Sequence, residues 1–313
     1  MRERAPRLPL LLAFLSAVVG GGAVSEFRIC AYNVQNFNSQ KAANFKVLHT
    51  LTRIICRCDI ILLQGVTDSD GSAIKKLVSS LNRYSGRETL RYEGHHYSSV
   101  SSSGMGKSPD DMQKYVFIYR TETVKVTDQY QYPFQTHFVR APLAVHFYSD
   151  KTDIKNFVLV GLHTDKDNAV KEMDRLYDVF EEVLKKWNNK NVMFLGDFHA
   201  GCAHMTRRDK KNIRLFANTS FSWLIGDKMD TTVTDETSCA YDRIVVYGKS
   251  FLKAIAPFSA AVFNYAQEFK LRRTTVLMVS DHLPVEVRLK GSAPLIQATP
   301  LLLLISTALH SFL

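Results

Sequence analysis

Three short strings, Gly196-Asp197-Phe198, Tyr241-Asp242-Arg243 and Ser280-Asp281-His282-Leu283-Pro284, each adjoin an apolar run of the kind that forms a buried strand. Carboxylates and an imidazole at strand ends supply a metal ligand, an orienting partner for a histidine and a proton-transfer group. Those are the parts that phosphodiester hydrolysis requires. The comparable run Ile60-Ile61-Leu62-Leu63-Gln64 is followed by Gly65, where such a site would want another carboxylate.

The elements that must hold these groups follow from hydrophobic periodicity. Alternation over 27–33 predicts a first strand ending on polar Asn33, and helical spacing over 41–57 predicts one helix running into a buried strand at 59–64. Residues 72–81 form a second amphipathic stretch, and the Ser-rich residues near 98–103 read as a loop. Strands are expected at 115–119, 143–147 and 157–162, a helix at about 169–187, and further strands at 191–195, 243–247 and 285–289. Helices between some strands and hairpin-like runs elsewhere indicate an α/β (α+β) fold, with two packed mixed sheets and helices outside.

The 313 residues, 46% apolar, can bury a large core, and no linker-like shift divides them. A single domain at 26–290 is expected. Residues 1–25 have the form of a secretory signal: Arg2, Arg4 and Arg7, an apolar run, three glycines, and Ala23-Val24-Ser25 as a cleavage site. Residues 291–313 begin with Gly291-Ser292-Ala293, continue through a short polar spacer and end in an apolar run too short to span a bilayer comfortably. That order fits a signal for a glycosylphosphatidylinositol anchor; a membrane-associated tail or a plain extension are the alternatives.

Five cysteines suit an exported chain with few bridges. Cys202 and Cys239 flank Asp197 and Asp242, so a disulfide between them would hold the acids in register. Cys30 and Cys58 lie on apolar segments and read as core residues, and Cys56 has no evident role. Asn218-Thr219-Ser220 is a glycosylation sequon. The net charge of +10 falls to +8 once the signal's three arginines and Glu3 are removed. Clusters at Lys185-Lys186, 207–211 and 270–273 favour a polyanionic partner or an anionic membrane surface.

Residues 27–35, Leu63-Gln64, Val139-Arg140, Leu162-His163-Thr164, 176–180 and the three strings above match the deoxyribonuclease I-like endonucleases in order and spacing. The resemblance covers about residues 26–290. With its apolar C-terminal extension the chain is most similar to the membrane-associated subgroup, deoxyribonuclease X. The resemblance implies a four-layer sandwich and hydrolysis of double-stranded DNA by a monomer using Mg2+ and/or Ca2+. It also implies catalytic roles for His163, His282, Asp242 and Asp281, with Asp197, Asn33 and Asp281 near the metal and Arg140 contacting phosphate.

Four departures qualify that expectation. Gly65 stands where the family has a metal-ligating Glu, so restoring a carboxylate would restore a ligand unless the glycine is needed for its backbone shape. Gln113 stands where the family pairs a Glu with the first histidine, and an amide cannot stabilise an imidazolium as a carboxylate does. His199 replaces an Asn and could contact the DNA phosphate or a metal, an imidazole suiting zinc better than magnesium. Asp111 falls at about the position of a groove-contacting Tyr. Two functions fit: an exported endonuclease of weakened activity, or an inactive family member that binds DNA or another anionic partner. Asp70, Asp110 and Asp111 are candidates to compensate for the missing carboxylates.

Overall fold

The computed structural model describes residues 27–88, 96–133, 137–234 and 238–292. The expected signal at 1–25 and the tail from Ala293 onward lie outside the described residues. Two six-stranded mixed sheets are formed by β1 (Phe27–Phe37), β2 (Ile60–Val66), β3 (Tyr97–Ser101), β4 (Lys114–Arg120), β5 (Lys125–Gln131), β6 (Leu143–Tyr148), β7 (Asn156–His163), β8 (Val192–Asp197), β9 (Phe221–Trp223), β10 (Asp242–Tyr247), β11 (Ala261–Val262) and β12 (Val285–Leu289). The first sheet runs β11-β12-β1-β2-β4-β3 and the second β5-β6-β7-β8-β10-β9. Each holds one parallel pair, β1 with β2 and β7 with β8, among antiparallel neighbours.

Strand periodicity explains the layers. β1 sends Phe27, Ile29 and Ala31 into the core between the sheets, and Cys30, Tyr32 and Val34 outward under helices. β2 does the same with Ile60 and Leu62 against Ile61 and Leu63, which is why its sequence is apolar without a break. Edge-on ring pairs, Phe27 with Phe157 at 6.3 Å and Phe117 with Phe147 at 5.7 Å, join the facing sheets. Helices α1 (Phe45–Ile55), α2 (Ser72–Glu88) and α4 (Arg273–Val279) cover the first sheet, and α3 (Ala169–Trp187) covers the second through Met173, Leu176 and Phe180. Among the described residues no helix is long and apolar enough to cross a membrane.

Several local expectations are corrected. The stretch 41–57 is broken, because the Asn44 side chain accepts from the Lys46 and Val47 amides and starts α1 afresh after a separate short helix at Ser39–Ala43. The Ser-rich loop near 98–103 begins as β3, an edge strand satisfied by pairing with β4 alone. Such a strand needs little apolar alternation. Cys30 and Cys58 are buried but joined to each other by a disulfide, with Cα atoms 6.2 Å apart. Cys202 and Cys239 form the second bridge, Cα–Cα 5.9 Å, and Cys56 stays outside both.

Past Asn33 and Gln64 the β1/β2 register shifts, and the chain at 34–36 folds over Gly65. Gly65 has φ +69°, and a Cβ there would lie 2.6 Å from Asn33 Oδ1 and 3.1 Å from the Gln35 amide. The Lys41 ammonium fixes this crossing by donating to the Val34 and Gln35 carbonyls at 2.8 and 2.5 Å. The glycine is therefore required by backbone shape. On the opposite sheet, buried Glu172 of α3 accepts from the Val139 and Asp165 amides, both at 2.8 Å, and clamps the segments carrying Arg140 and His163.

Both features are testable by unfolding. Gly65→Ala should cost at least about 1–2 kcal/mol in urea denaturation, the penalty of a left-handed L-residue before the close contact is counted. Gly65→Glu should cost no less and restore no function; a variant as stable as the parent would contradict the packing described. Burial, opposed by the two amide donors, raises the Glu172 carboxyl from 4.5 to about 7. The folded state thus holds a proton that the unfolded chain releases, so stability falls as pH rises from about 4.5 to 7. Glu172→Gln should flatten that slope in thermal unfolding, and an unchanged slope would exclude Glu172 as its origin.

Candidate active site

The row of catalytic candidates is written into the strand register. His163 at the end of β7 pairs with Asp197 at the end of β8, and Asp197 pairs with Asp242 at the start of β10. Gly196 makes the close approach of β7 and β8 possible, since a Cβ there would fall 2.1 Å from the Leu162 carbonyl oxygen. The first sheet contributes Asn33, whose Nδ2 donates to Asp197 Oδ2 at 3.0 Å. Ser280 Oγ in turn donates to the Asn33 carbonyl at 2.6 Å and accepts from the His282 amide, bringing the loop before β12 onto the site.

Asp197 is fully buried and faces three imidazoles. His163 Nε2 and His282 Nε2 lie 3.5 and 3.6 Å from its Oδ2, and His199 Nδ1 lies 3.4 Å from its Oδ1. Burial disfavours its charge, but the rings of His199, His282 and His163 outweigh burial and hold the carboxyl below the usual range. His282 Nδ1–H donates to Asp242 Oδ2 at 2.7 Å, a buried charge-assisted bond that fixes the tautomer and aims Nε2 at Asp197. Burial lowers the His282 affinity for a proton, but Asp242 and then Asp197 reverse the effect and raise it to about 10. His163 goes the other way: burial, only partly opposed by Asp197, lowers it to about 3. One histidine is held as a cation and the other neutral, the division expected of an acid and a base.

Other expected residues sit differently. Gln113 does not meet His163: its amide donates to Asp111 Oδ1 at 3.4 Å, leaving Gln113 Oε1 and His163 Nδ1 buried without partners. Arg140 is turned inward and spends its guanidinium on the His163 and Thr164 carbonyls, 3.3 and 3.2 Å away, with Asp111 at 3.5 Å. It props up the His163 loop instead of presenting a free cation to phosphate. Asp281 is partly exposed, its Oδ1 3.8 Å from His282 Nε2. Asp70 accepts from the Ser72 amide at the start of α2, so neither it nor Asp111 joins the acids around Asp197. Asp110 is exposed, on the turn Pro109–Asp111. Asn218 is partly exposed, in a turn before β9.

Sequence reasoning missed Arg243, Thr231 and Thr164. Arg243 is fully buried and donates to the carbonyls of Ala200, Ile225 and Ala240 and to Asp227, fastening the loops on either side of Asp197 and Asp242. Its signal was present as a basic residue within the apolar run that follows Asp242. Thr231 Oγ1 accepts from the Tyr241 and Asp242 amides at 3.1 and 3.2 Å.

Among the described residues two groups could hold a divalent cation: His163, Asp197 and His199, and Asp197, Asp242 and His282. Neither suits Mg2+ or Ca2+, which prefer oxygen ligands. Gly65 offers none, Asn33 Oδ1 already accepts from the Gln35 amide at 3.0 Å, and Asp281 belongs to neither group.

The sequence pattern of the Endonuclease/Exonuclease/phosphatase family matches residues 30–282. Deoxyribonuclease gamma of Mus musculus is 39% identical over 297 residues, covering 93% of each chain. Deoxyribonuclease-1-like 1 of Homo sapiens is 40% identical over 285 residues, covering 91% of this chain and 90% of its own. Among solved structures, an endonuclease/exonuclease/phosphatase from Bacteroides vulgatus superposes with a TM-score of 0.58 at 14% identity, covering 86% of this chain and all of that one. The human Nocturnin catalytic domain gives 0.56 at 12%, covering 85% and 95%. Register, buried histidine–aspartate pairing and this similarity along nearly the whole chain agree: the protein belongs to the endonuclease/exonuclease/phosphatase family and, within it, to the deoxyribonuclease relatives.

Proposed function

We propose that the chain is an endonuclease that hydrolyses phosphodiester bonds in double-stranded DNA. The observation that carries this reading is the convergence of His163 Nε2 and His282 Nε2 on one side of Asp197, with Asp242 bound behind His282. A phosphate bound against these two nitrogens would meet a neutral and a charged imidazole at once. His163 takes the proton of the attacking water, and the His282 imidazolium delivers one to the leaving oxygen as the P–O bond breaks. Asp242 keeps the cation in place, and Asn33 holds the Asp197 carboxylate still. No step is assigned to a bound ion, since the donor set does not fit the magnesium or calcium that the family resemblance implies.

Activity below that of the deoxyribonuclease relatives is part of the proposal. His163 lacks a partner at Nδ1, so no carboxylate supports its protonated form from that side, and its lowered proton affinity makes it a weak base. The same orphaned nitrogen supports a second reading, a member of the family that binds DNA without cutting it. The disulfides suit the secretory pathway. We assign residues 1–25 as its signal, Asn218 as a glycan acceptor, and 291–313 as an anchor signal on a monomeric, surface-held protein.

Plasmid nicking by the purified protein separates the two readings. Cutting should be measurable, and His163→Ala and His282→Ala should each reduce it by about 10²–10⁴-fold, the usual contribution of a general acid or base. Retention on DNA should persist in both variants and weaken steeply with salt. No cutting by the parent chain, with DNA binding intact, would leave the binding reading. On cells, a phosphatidylinositol-specific phospholipase C should release the protein; a cell-bound form that resists the lipase and retains 301–313 would refute the anchor.

A further inference from the structure

We propose that His163, Asp197 and His199 constitute a binding site for one imidazole-preferring divalent cation of the zinc class. The ligand atoms of these residues all lie within 4.8 Å of one another. His163 Nε2 stands 3.5 Å from Asp197 Oδ2 and His199 Nδ1 stands 3.4 Å from Oδ1. These separations exceed ordinary charge-assisted hydrogen bonds. Tetrahedral zinc, with bonds of about 2.0–2.1 Å to nitrogen and oxygen, sets neighbouring ligands about 3.3–3.4 Å apart. The two nitrogen–oxygen separations are near that value, each nitrogen facing a different oxygen of the one carboxylate.

The arrangement is held by backbone and packing. His199 adopts φ +45°, and its amide donates to Asp197 Oδ1 at 3.1 Å, which fixes the ring over the carboxylate. The His163 and His199 rings stack at 5.8 Å and 16°. Both side chains are mostly buried, and a buried neutral imidazole is the form that ligates. Thr164 Oγ1, 3.1 Å from His199 Nδ1, gives up that contact when the ion takes the lone pair. Nitrogen donors with a single carboxylate select zinc-class ions over magnesium.

The second group, Asp197, Asp242 and His282, competes poorly because His282 is committed to Asp242 through Nδ1 at 2.7 Å. Loading would also fix the His163 proton on Nδ1, the atom without a partner. This site goes beyond the hydrolytic reading and does not rest on it. The ion and the attacking water need the same His163 lone pair, so the two occupancies exclude each other.

The test reads metal, not cutting. Untagged, disulfide-intact protein is stripped with a chelator, dialysed against zinc chloride in millimolar magnesium, and assayed for bound metal by mass spectrometry. Cobalt replaces zinc in a parallel sample for visible spectra. The expected result is one zinc per chain and a tetrahedral cobalt spectrum. His199→Asn, which tolerates the left-handed backbone and so should fold, is expected to weaken zinc at least about 10-fold, and Asp197→Asn should abolish uptake. Cys56→Ala should change nothing, which excludes the thiol outside the disulfides. No retained zinc, or an unchanged zinc affinity in folded His199→Asn, would overturn the proposal.

Discussion

A fully buried carboxylate cannot exist in a protein core without compensation, and Asp197 obtains its compensation from every element around it. Asn33 donates to it from the first sheet, the His199 amide from its own loop, and three imidazoles face it from β7, the loop after β8 and the loop before β12. The two sheets are thus pinned at one atom group as well as through their apolar core. Displacing any donor would leave a charge uncompensated in a low dielectric, so the site's geometry and the fold's integrity are coupled at this point.

That constraint also divides the histidines. His282 has a second carboxylate behind it and remains a cation, whereas His163 has none and remains neutral. A weak base and a cluster rich in nitrogen donors stand side by side around Asp197. Glycine at 65, an amide at 113 and an imidazole at 199 leave the site poor in oxygen ligands and rich in nitrogen donors, which suits borderline cations better than hard ones. The crossing over Gly65 occupies the space in which a side chain would stand.

Much of this was legible in the chain. Apolar runs ending in Asp197 and beginning after Asp242 announced buried strands with acids at one sheet edge, and register alone then aligned His163, Asp197 and Asp242. What stayed hidden depended on atoms without sequence periodicity. Asn44 breaks a helix through two side-chain hydrogen bonds, and β3 is an edge strand too polar to alternate. Cys30 and Cys58 look like core residues because they are buried, and burial says nothing of pairing. Arg140 and Gln113 occupy the expected positions in order but point elsewhere, since linear spacing fixes a Cα and leaves the rotamer to local partners.

The claim at the centre of this account is that Asp242 and Asp197 keep His282 charged while burial keeps His163 neutral. Nitrogen-15 NMR of the histidine rings, recorded on chelator-treated protein from pH 5 to 8, reads each protonation state directly. The account predicts a His282 imidazolium with a strongly hydrogen-bonded Nδ1–H and a single neutral tautomer for His163 across the whole range. Titration of both rings near the ordinary histidine value, or a charged His163 beside a neutral His282, would contradict it.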